Sequence, residues 1–185
     1  MDIRERISGL SLTAAMDGPR GPEWLVLRWA PSARVAPATL FRYLTEPDLL
    51  ARWSPVVPDR PLTSVGPATS HETPGGPPAS ADVTSVITNQ EVTHRWGQDL
   101  IRWRIISAGN LEADGCRLKI EQELQRPELA SIFAAGWHVC LGVLDALLAG
   151  EEQGRIVGND AMEYGWRNLR REYWESLPGQ SDEDL

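Results

Sequence analysis

Residues 130–150 read ASIFAAGWHVCLGVLDALLAG and form the longest sustained helical pattern in the chain. Large apolar side chains recur at three- and four-residue steps and cover a broad arc of the predicted helix. Burying about six of them at roughly 1.5–3 kcal/mol each would contribute on the order of 10–15 kcal/mol, before the entropy of ordering is subtracted. Such a helix needs a wide partner such as a sheet. The stretch is too short and too interrupted by polar residues to predict a membrane span.

One thin polar stripe crosses this apolar arc. Ser131, His138 and Asp145 lie seven residues apart and therefore share one side of the helix. We expect the stripe to face solvent. The three residue types could suggest a hydrolytic triad, but side chains two turns apart are separated by about 10 Å, which is too far for a triad.

The residues before this helix predict an antiparallel meander. Apolar and charged residues alternate in the later runs, which predicts a sheet with one dry face and one wet face. The long helix follows at once and can cover the dry face. Turn residues separate four β-type runs at residues 83–88, 92–96, 100–107 and 116–125.

The remaining segments are predicted from turn and cap residues. Residues 1–22 predict an N-terminal extension or a hairpin with a strand at 24–30, and two short helices follow from Pro37, separated by Pro47. The proline- and glycine-rich residues 54–82 predict one or two short strands, at 62–65 and 69–72, and a loop. A terminal helix is predicted from an Asn159-Asp160 cap to residue 177.

Composition bounds the class of protein. A chain of 185 residues predicts one domain, residues 1–177, followed by an acidic tail, residues 178–185. Twenty-six acidic against 18 basic residues give a net charge of −8, which disfavours nucleic acid and anionic membranes as partners. The first residues lack an apolar signal region, which predicts a cytoplasmic location. Cys116 and Cys140 lack metal or redox spacing, so we expect buried thiols, no metal and no cofactor.

Several short motifs occur in a defined order along residues 24–176. The first ends in Leu-Thr-Glu-Pro at residues 44–47 and is followed by Trp53. The second is a strand that ends in Trp96-Gly97. The third, on the long helix, reads Gly-Trp-His-Val-Cys-Leu at residues 136–141, and the pattern closes with Trp166, Leu169 and Tyr173.

These motifs resemble the START-like (SRPBCC) superfamily, and within it the bacterial proteins related to the activator of the heat-shock protein 90 ATPase. The resemblance implies an α+β helix-grip fold, in which a curved antiparallel sheet of six or seven strands wraps a long helix and encloses a cavity. Residues 1–22 are longer than the usual N-terminus. Gly142 and Asp145 depart from the acidic residue that is common after the Cys-Leu pair.

Two polar residues on the dry face are the candidates for chemistry. His94 alternates with Val92 and Trp96 and could bind a ligand or act as a base; the alternative is a core histidine that donates to a backbone carbonyl. Gln122 interrupts an apolar strand face, so it needs a ligand or water as partner, unless it lies at an exposed edge.

Three functions remain open at this point. The first is a non-enzymatic protein that binds a small apolar, aromatic or lipid-like molecule. The second is an enzyme like the superfamily's polyketide cyclases and aromatases, with the histidine His94, together with Gln122, as the acting groups. The third is a stress-related interaction module with a chaperone partner; a homodimer is also open. The expected cavity lining is Trp53, His94, Trp96, Ile101, Trp103, Gln122, Phe133, Gly136, Trp137 and Cys140.

Overall fold

The computed structural model describes residues 2–18, 23–72, 75–109 and 115–179 and has an α+β architecture. Its main layer is a six-stranded antiparallel sheet with the order β1-β2-β9-β8-β7-β6. The strands are β1 (Leu12–Asp17), β2 (Trp24–Trp29), β6 (Val83–Ile87), β7 (Glu91–Trp96), β8 (Asp99–Ser107) and β9 (Cys116–Glu123). The four predicted runs of the meander are therefore confirmed to within about two residues.

The N-terminal strand completes one edge of this sheet. A short helix, α1 (Ile3–Ser8), precedes β1, and β1 pairs with β2 from Leu12↔Trp29 to Asp17↔Trp24. The prediction of an extension or a hairpin for residues 1–22 did not include α1. Its N-terminus is capped by the Asp2 carboxylate, which accepts a hydrogen bond from the backbone N–H of Arg4 at 3.0 Å.

The segment between β2 and β6 forms a second, smaller layer. It contains α2 (Pro37–Thr45), α3 (Pro47–Leu50) and a three-stranded sheet of β3 (Val57–Pro58), β4 (Thr69–His71) and β5 (Ala79–Ser80). Both helices begin at a proline, as predicted. The strand predicted at 69–72 is confirmed, whereas residues 62–65 form bends and not a strand.

The long helix, α4 (Ala130–Leu148), lies against the dry face of the six-stranded sheet and is buried along most of its length. Rows of inward-facing side chains run across the sheet, and His94, Ile101, Gln122 and Leu25 occupy successive strands in one such row. The predicted helix-grip fold is thus confirmed.

The polar stripe of α4 is also buried, which corrects the expectation that it faces solvent. Ser131, His138 and Asp145 expose 2, 6 and 2 % of their surface. The reason is that α1 and the terminal helix α5 (Trp166–Ser176) pack on the side of α4 that faces away from the sheet. His138 is therefore held between α1 and α5, where its ring nitrogens contact the Ile7 carbonyl and the Tyr173 hydroxyl.

The terminal helix is shorter than predicted. Residues from Asn159 form a 3-10 helix, Gly158–Tyr164, and the α-helix begins only after Gly165, whose φ of +87° interrupts the helical path. The residues of the acidic tail from 180 onward lie outside the described residues.

Candidate functional site

Three tryptophans fill the space between the sheet and α4. Trp53, Trp103 and Trp137 expose at most 2 % of their surface. Their rings meet edge-on or tilted, with centroid distances of 5.9 Å for Trp53–Trp103, 6.5 Å for Trp53–Trp137 and 5.1 Å for Trp103–Trp137. This packing occupies the centre of the space in which the sequence predicts a cavity.

His94 is a fully satisfied core residue. Its Nδ1 lies 2.8 Å from the carbonyl oxygen of Arg95, so Nδ1 must carry the hydrogen. Its Nε2 then accepts the indole N–H of Trp103 at 2.8 Å. Burial lowers the pKa of His94 to about 4, which keeps the ring neutral. Both ring nitrogens are occupied, so the structure favours the core interpretation over the ligand or base interpretation.

Gln122 is satisfied by protein groups. Its side-chain oxygen accepts the indole N–H of Trp137 at 2.8 Å, and its amide nitrogen donates to Asp99 at 2.7 Å. It is completely buried, so neither an exposed edge nor a ligand partner accounts for it. The third core indole, that of Trp53, donates to the carbonyl of Tyr43 at 3.0 Å. The indoles of Trp53, Trp103 and Trp137 therefore each donate to a partner within the protein, as is expected of buried polar groups.

The open space lies beside this core, at the N-terminal half of α4. A pocket of about 270 Å³ is bounded by α4, by the end of β7, and by residues 156–166, which we name the wall segment. Five of the predicted lining residues border it: Trp96, Phe133, Gly136, Trp137 and Cys140. The other five, Trp53, His94, Ile101, Trp103 and Gln122, lie in the packed core.

Aromatic rings dominate the pocket wall. Trp96 packs edge-on against Phe133 and Trp137 at centroid distances of 5.9 and 5.5 Å. Gly136 forms part of the floor, and a Cβ at this position would meet nothing within 4 Å. Close packing against the sheet therefore does not require a glycine at this position. The missing side chain instead leaves the pocket open.

Few polar groups border the pocket. Among the described lining residues, Glu72 is the one charged side chain, and it lies at the exposed rim. Burial raises the pKa of the Cys140 thiol to about 12, so the thiol stays protonated and unreactive at neutral pH. Arg155 connects three segments of the chain, because its guanidinium donates to the carbonyls of Ser54, Pro55 and Glu72.

Sequence reasoning missed the wall segment as part of the site. It contributes Ile156, Val157, Gly158, Ala161, Met162 and Trp166 to the pocket. The available signal was a pair of glycines. Gly158 begins the 3-10 helix, and Gly165 separates it from α5. No periodic pattern predicts that these residues border a pocket, because their position depends on how the chain turns back after α4.

The described residues contain no cluster of three or more His, Cys, Asp or Glu side chains arranged to hold a metal ion. Cys116 and Cys140 are both buried free thiols. Burial raises the pKa of Cys116 to about 11. Ligand contacts in this pocket would therefore be mostly apolar and aromatic.

The sheet, the long helix on its dry face and the terminal helix define a helix-grip fold. Several solved structures share it at low sequence identity. EF2215 from Enterococcus faecalis, a conserved protein of unknown function, is 15 % identical with a TM-score of 0.65, and 94 % of each chain is covered. CalU16 from Micromonospora echinospora is 16 % identical with a TM-score of 0.62, covering 91 % of this chain and 97 % of its own.

A third similar structure is DynU16, a protein of the dynemicin biosynthetic locus. It is 20 % identical with a TM-score of 0.57, over 70 % of this chain and 48 % of its own. No protein-family model and no curated protein sequence matches the chain. At these identities the likeness establishes the fold alone.

The long helix also meets the length and composition of a membrane span. Together with the preceding turn, residues 127–148 form a 22-residue helix, and its most apolar 18-residue window has a mean hydropathy of 1.6. The expectation that the stretch is too short to span was therefore wrong. Seventy-eight per cent of its most apolar window is nevertheless buried inside the protein, which is the burial of a core helix.

Proposed function

We propose that this protein binds a small, uncharged apolar or aromatic molecule in the pocket between α4 and the wall segment, without transforming it. The observation that carries this proposal is the cavity of about 270 Å³ whose lining is aromatic and aliphatic with one rim carboxylate. Ligand pockets are typically concave, mostly apolar and equipped with few polar groups, and this cavity lies near the small end of their size range.

The charges of the site favour an uncharged ligand. An anionic head group would meet Glu72 at the rim, and the described lining residues offer it no cationic side chain. Arg155 does not line the pocket, and the carbonyl oxygens of Ser54 and Pro55 already accept hydrogen bonds from its guanidinium. Moving a carboxylate from water into such a pocket would be costly, because its charge would lose hydration without gaining a partner.

The proposal of binding without catalysis follows from the state of the candidate groups. A base at His94 would first have to break two hydrogen bonds inside the core, and its low pKa makes the ring a weak proton acceptor. Cys140 is protonated at neutral pH because burial disfavours the thiolate. The cyclase-like alternative therefore receives no support from the residue on which it depends.

The finer relationship, to bacterial relatives of the heat-shock protein 90 ATPase activator, belongs to this proposal as well. Its support is the order of the sequence motifs, three of which border the pocket, through Trp96, through Gly136-Trp137 and through Trp166. A chaperone partner is implied by that resemblance alone, and no described surface feature argues for it independently.

A graded filling of the pocket tests the function. N-phenylnaphthylamine, an uncharged polycyclic fluorophore, would be titrated into the wild type, Gly136→Ala and Gly136→Leu. A larger side chain at 136 projects into open space, so we expect affinity to fall with its size, by about tenfold or more for leucine. A fatty acid of similar size, used as a competitor, should displace the fluorophore poorly at neutral pH.

Ala149→Leu is the matched control, because it places the same side chain at the exposed C-cap residue of α4, outside the pocket. This variant should bind the fluorophore like the wild type. Wild-type protein that fails to bind any uncharged aromatic probe, or Gly136→Leu that binds as well as the wild type, would contradict the proposed site.

A further inference from the structure

The N-terminal helix α1 is fixed rigidly to α4. Arg6 and Asp145 form a buried ion pair with an N–O distance of 2.5 Å, and Ser32 donates two further hydrogen bonds of 2.7 Å to the same carboxylate. His138 donates through Nε2 to the carbonyl of Ile7 at 2.8 Å. The side chain of Ile7 packs so close to Gly142 that a Cβ there would lie 2.5 Å from its Cγ1. The position of α1 is therefore set by α4.

From this fixed helix, Arg4 reaches the wall segment. Its Nε donates to the carbonyl of Glu163 at 3.1 Å, and its guanidinium carbon lies 4.9 Å from the centroid of the Tyr164 ring. Both partners belong to the wall segment, and neither lines the pocket. Arg4 thus connects the part of the chain that precedes the sheet to the outer wall of the ligand site.

The middle of the wall segment is mostly exposed. It forms a seven-residue 3-10 helix, Gly158–Tyr164, which begins at Gly158 with a φ of +58° and is followed by Gly165 with a φ of +87°. Runs of 3-10 helix longer than three or four residues are uncommon, because their hydrogen-bond geometry is poor. Within the 3-10 helix Ala161 alone is buried, while Met162 is 41 % exposed beside the pocket. A contact from outside can therefore decide how well this segment is ordered.

We propose that Arg4 is a positioning residue for the ligand pocket: it fastens the wall segment to α1 and keeps the pocket in its binding-competent shape. This inference rests on the proposed function, and it gives the N-terminal extension a role in ligand binding. A ligand that needs the ordered wall binds more weakly when that conformation is less populated. Loss of the hydrogen bond and the cation–π contact should weaken binding by about fivefold.

The test compares Arg4→Ala with the wild type in two independent measurements. The first is titration with N-phenylnaphthylamine, in which Arg4→Ala should bind about fivefold more weakly. The second is amide hydrogen exchange without ligand, in which residues 158–164 should exchange faster while α4 keeps its protection. Tyr164→Leu removes the ring and should produce a smaller effect of the same kind. Combined with Arg4→Ala, it should add less than its separate effect, because the two side chains share one contact.

Arg42→Ala is the matched control, since Arg42 is also an exposed arginine on a short helix and pairs with Glu46 far along the chain from the wall segment. It should change neither measurement. Wild-type affinity in Arg4→Ala would overturn the inference and leave the proposed function standing. Absence of probe binding to the wild type would refute the proposed function and the binding role of Arg4 with it. Unchanged exchange at residues 158–164 in Arg4→Ala would refute the fastening role in either case.

Discussion

Burial in the core determines the chemistry of His94. The protonated ring would lose its hydration there, and both of its nitrogens are occupied in the neutral form. The residue that the sequence suggests as a base therefore bridges Trp103 and the backbone of β7 by two hydrogen bonds. Gln122 has the corresponding role between Trp137 and Asp99.

This burial predicts a loss of stability in mild acid. The pKa of His94 is lowered from 6.5 to about 4, so the unfolded chain takes up a proton at a pH where the folded protein does not. The stabilising contribution is complete above the unfolded pKa and decreases as the pH falls below it. Between pH 7 and 5 we expect the free energy of unfolding to fall by about 2 kcal/mol through this residue.

Urea unfolding of the wild type and His94→Gln at both pH values measures that contribution. Glutamine stays neutral and keeps an acceptor for the indole of Trp103, so the wild type should lose about 2 kcal/mol more than the variant on acidification. An equal loss in both proteins would show that His94 titrates alike in the folded and unfolded states.

At the scale of elements, the contact between α1 and α4 explains two residues of α4. Gly142 provides the space into which Ile7 packs, and Asp145 is the buried partner of Arg6. Both residues therefore match the N-terminal helix that packs on them. The same contact buries the polar stripe of α4, because α1 supplies hydrogen-bonding partners to it.

The two glycines of α4 should respond oppositely to alanine. At Gly142 a Cβ would lie 2.5 Å from Ile7 Cγ1 and 3.2 Å from its Cα, and such overpacking costs about 1–3 kcal/mol. At Gly136 a Cβ meets nothing within 4 Å, so alanine should stabilise the helix by about 0.5–1 kcal/mol. Chemical denaturation of the two variants measures both effects. Gly142→Ala as stable as Gly136→Ala would contradict the close packing of α1.

At the scale of the whole molecule, some tryptophans form a packed core and others form a pocket wall. Trp53 and Trp103 are completely enclosed between the sheet and α4, whereas Trp96 and Trp166 are half-buried and border the cavity. The centre of the fold is thus filled with indole rings, and the open space lies at the side that the wall segment borders.

This division predicts which tryptophans a bound ligand contacts. In a titration with N-phenylnaphthylamine followed by NMR, the indole N–H signals of Trp96 and Trp166 should shift. Those of Trp53 and Trp103 should stay, since they donate to Tyr43 and His94 inside the core. Single Trp→Phe variants assign the signals. Shifts confined to Trp53 and Trp103 would place the ligand in the centre of the fold instead.

The sequence by itself determined the class of fold and most of its elements. Alternation in β8 and β9 and the apolar arc of α4 are local periodicities, and they specify which face of each element is buried. The order of those elements then restricts how the sheet can cover the helix. Trp96, Phe133 and Trp137 could be placed near a cavity for the same reason.

Only the tertiary structure decided which polar residues are buried and where the cavity lies. His138 and Asp145 are buried because α1, far away in the sequence, packs over them. The pocket exists because the chain turns back after α4, and a gap remains between the wall segment and the helix. Contacts between distant segments set both features, and no local pattern of residues encodes such contacts.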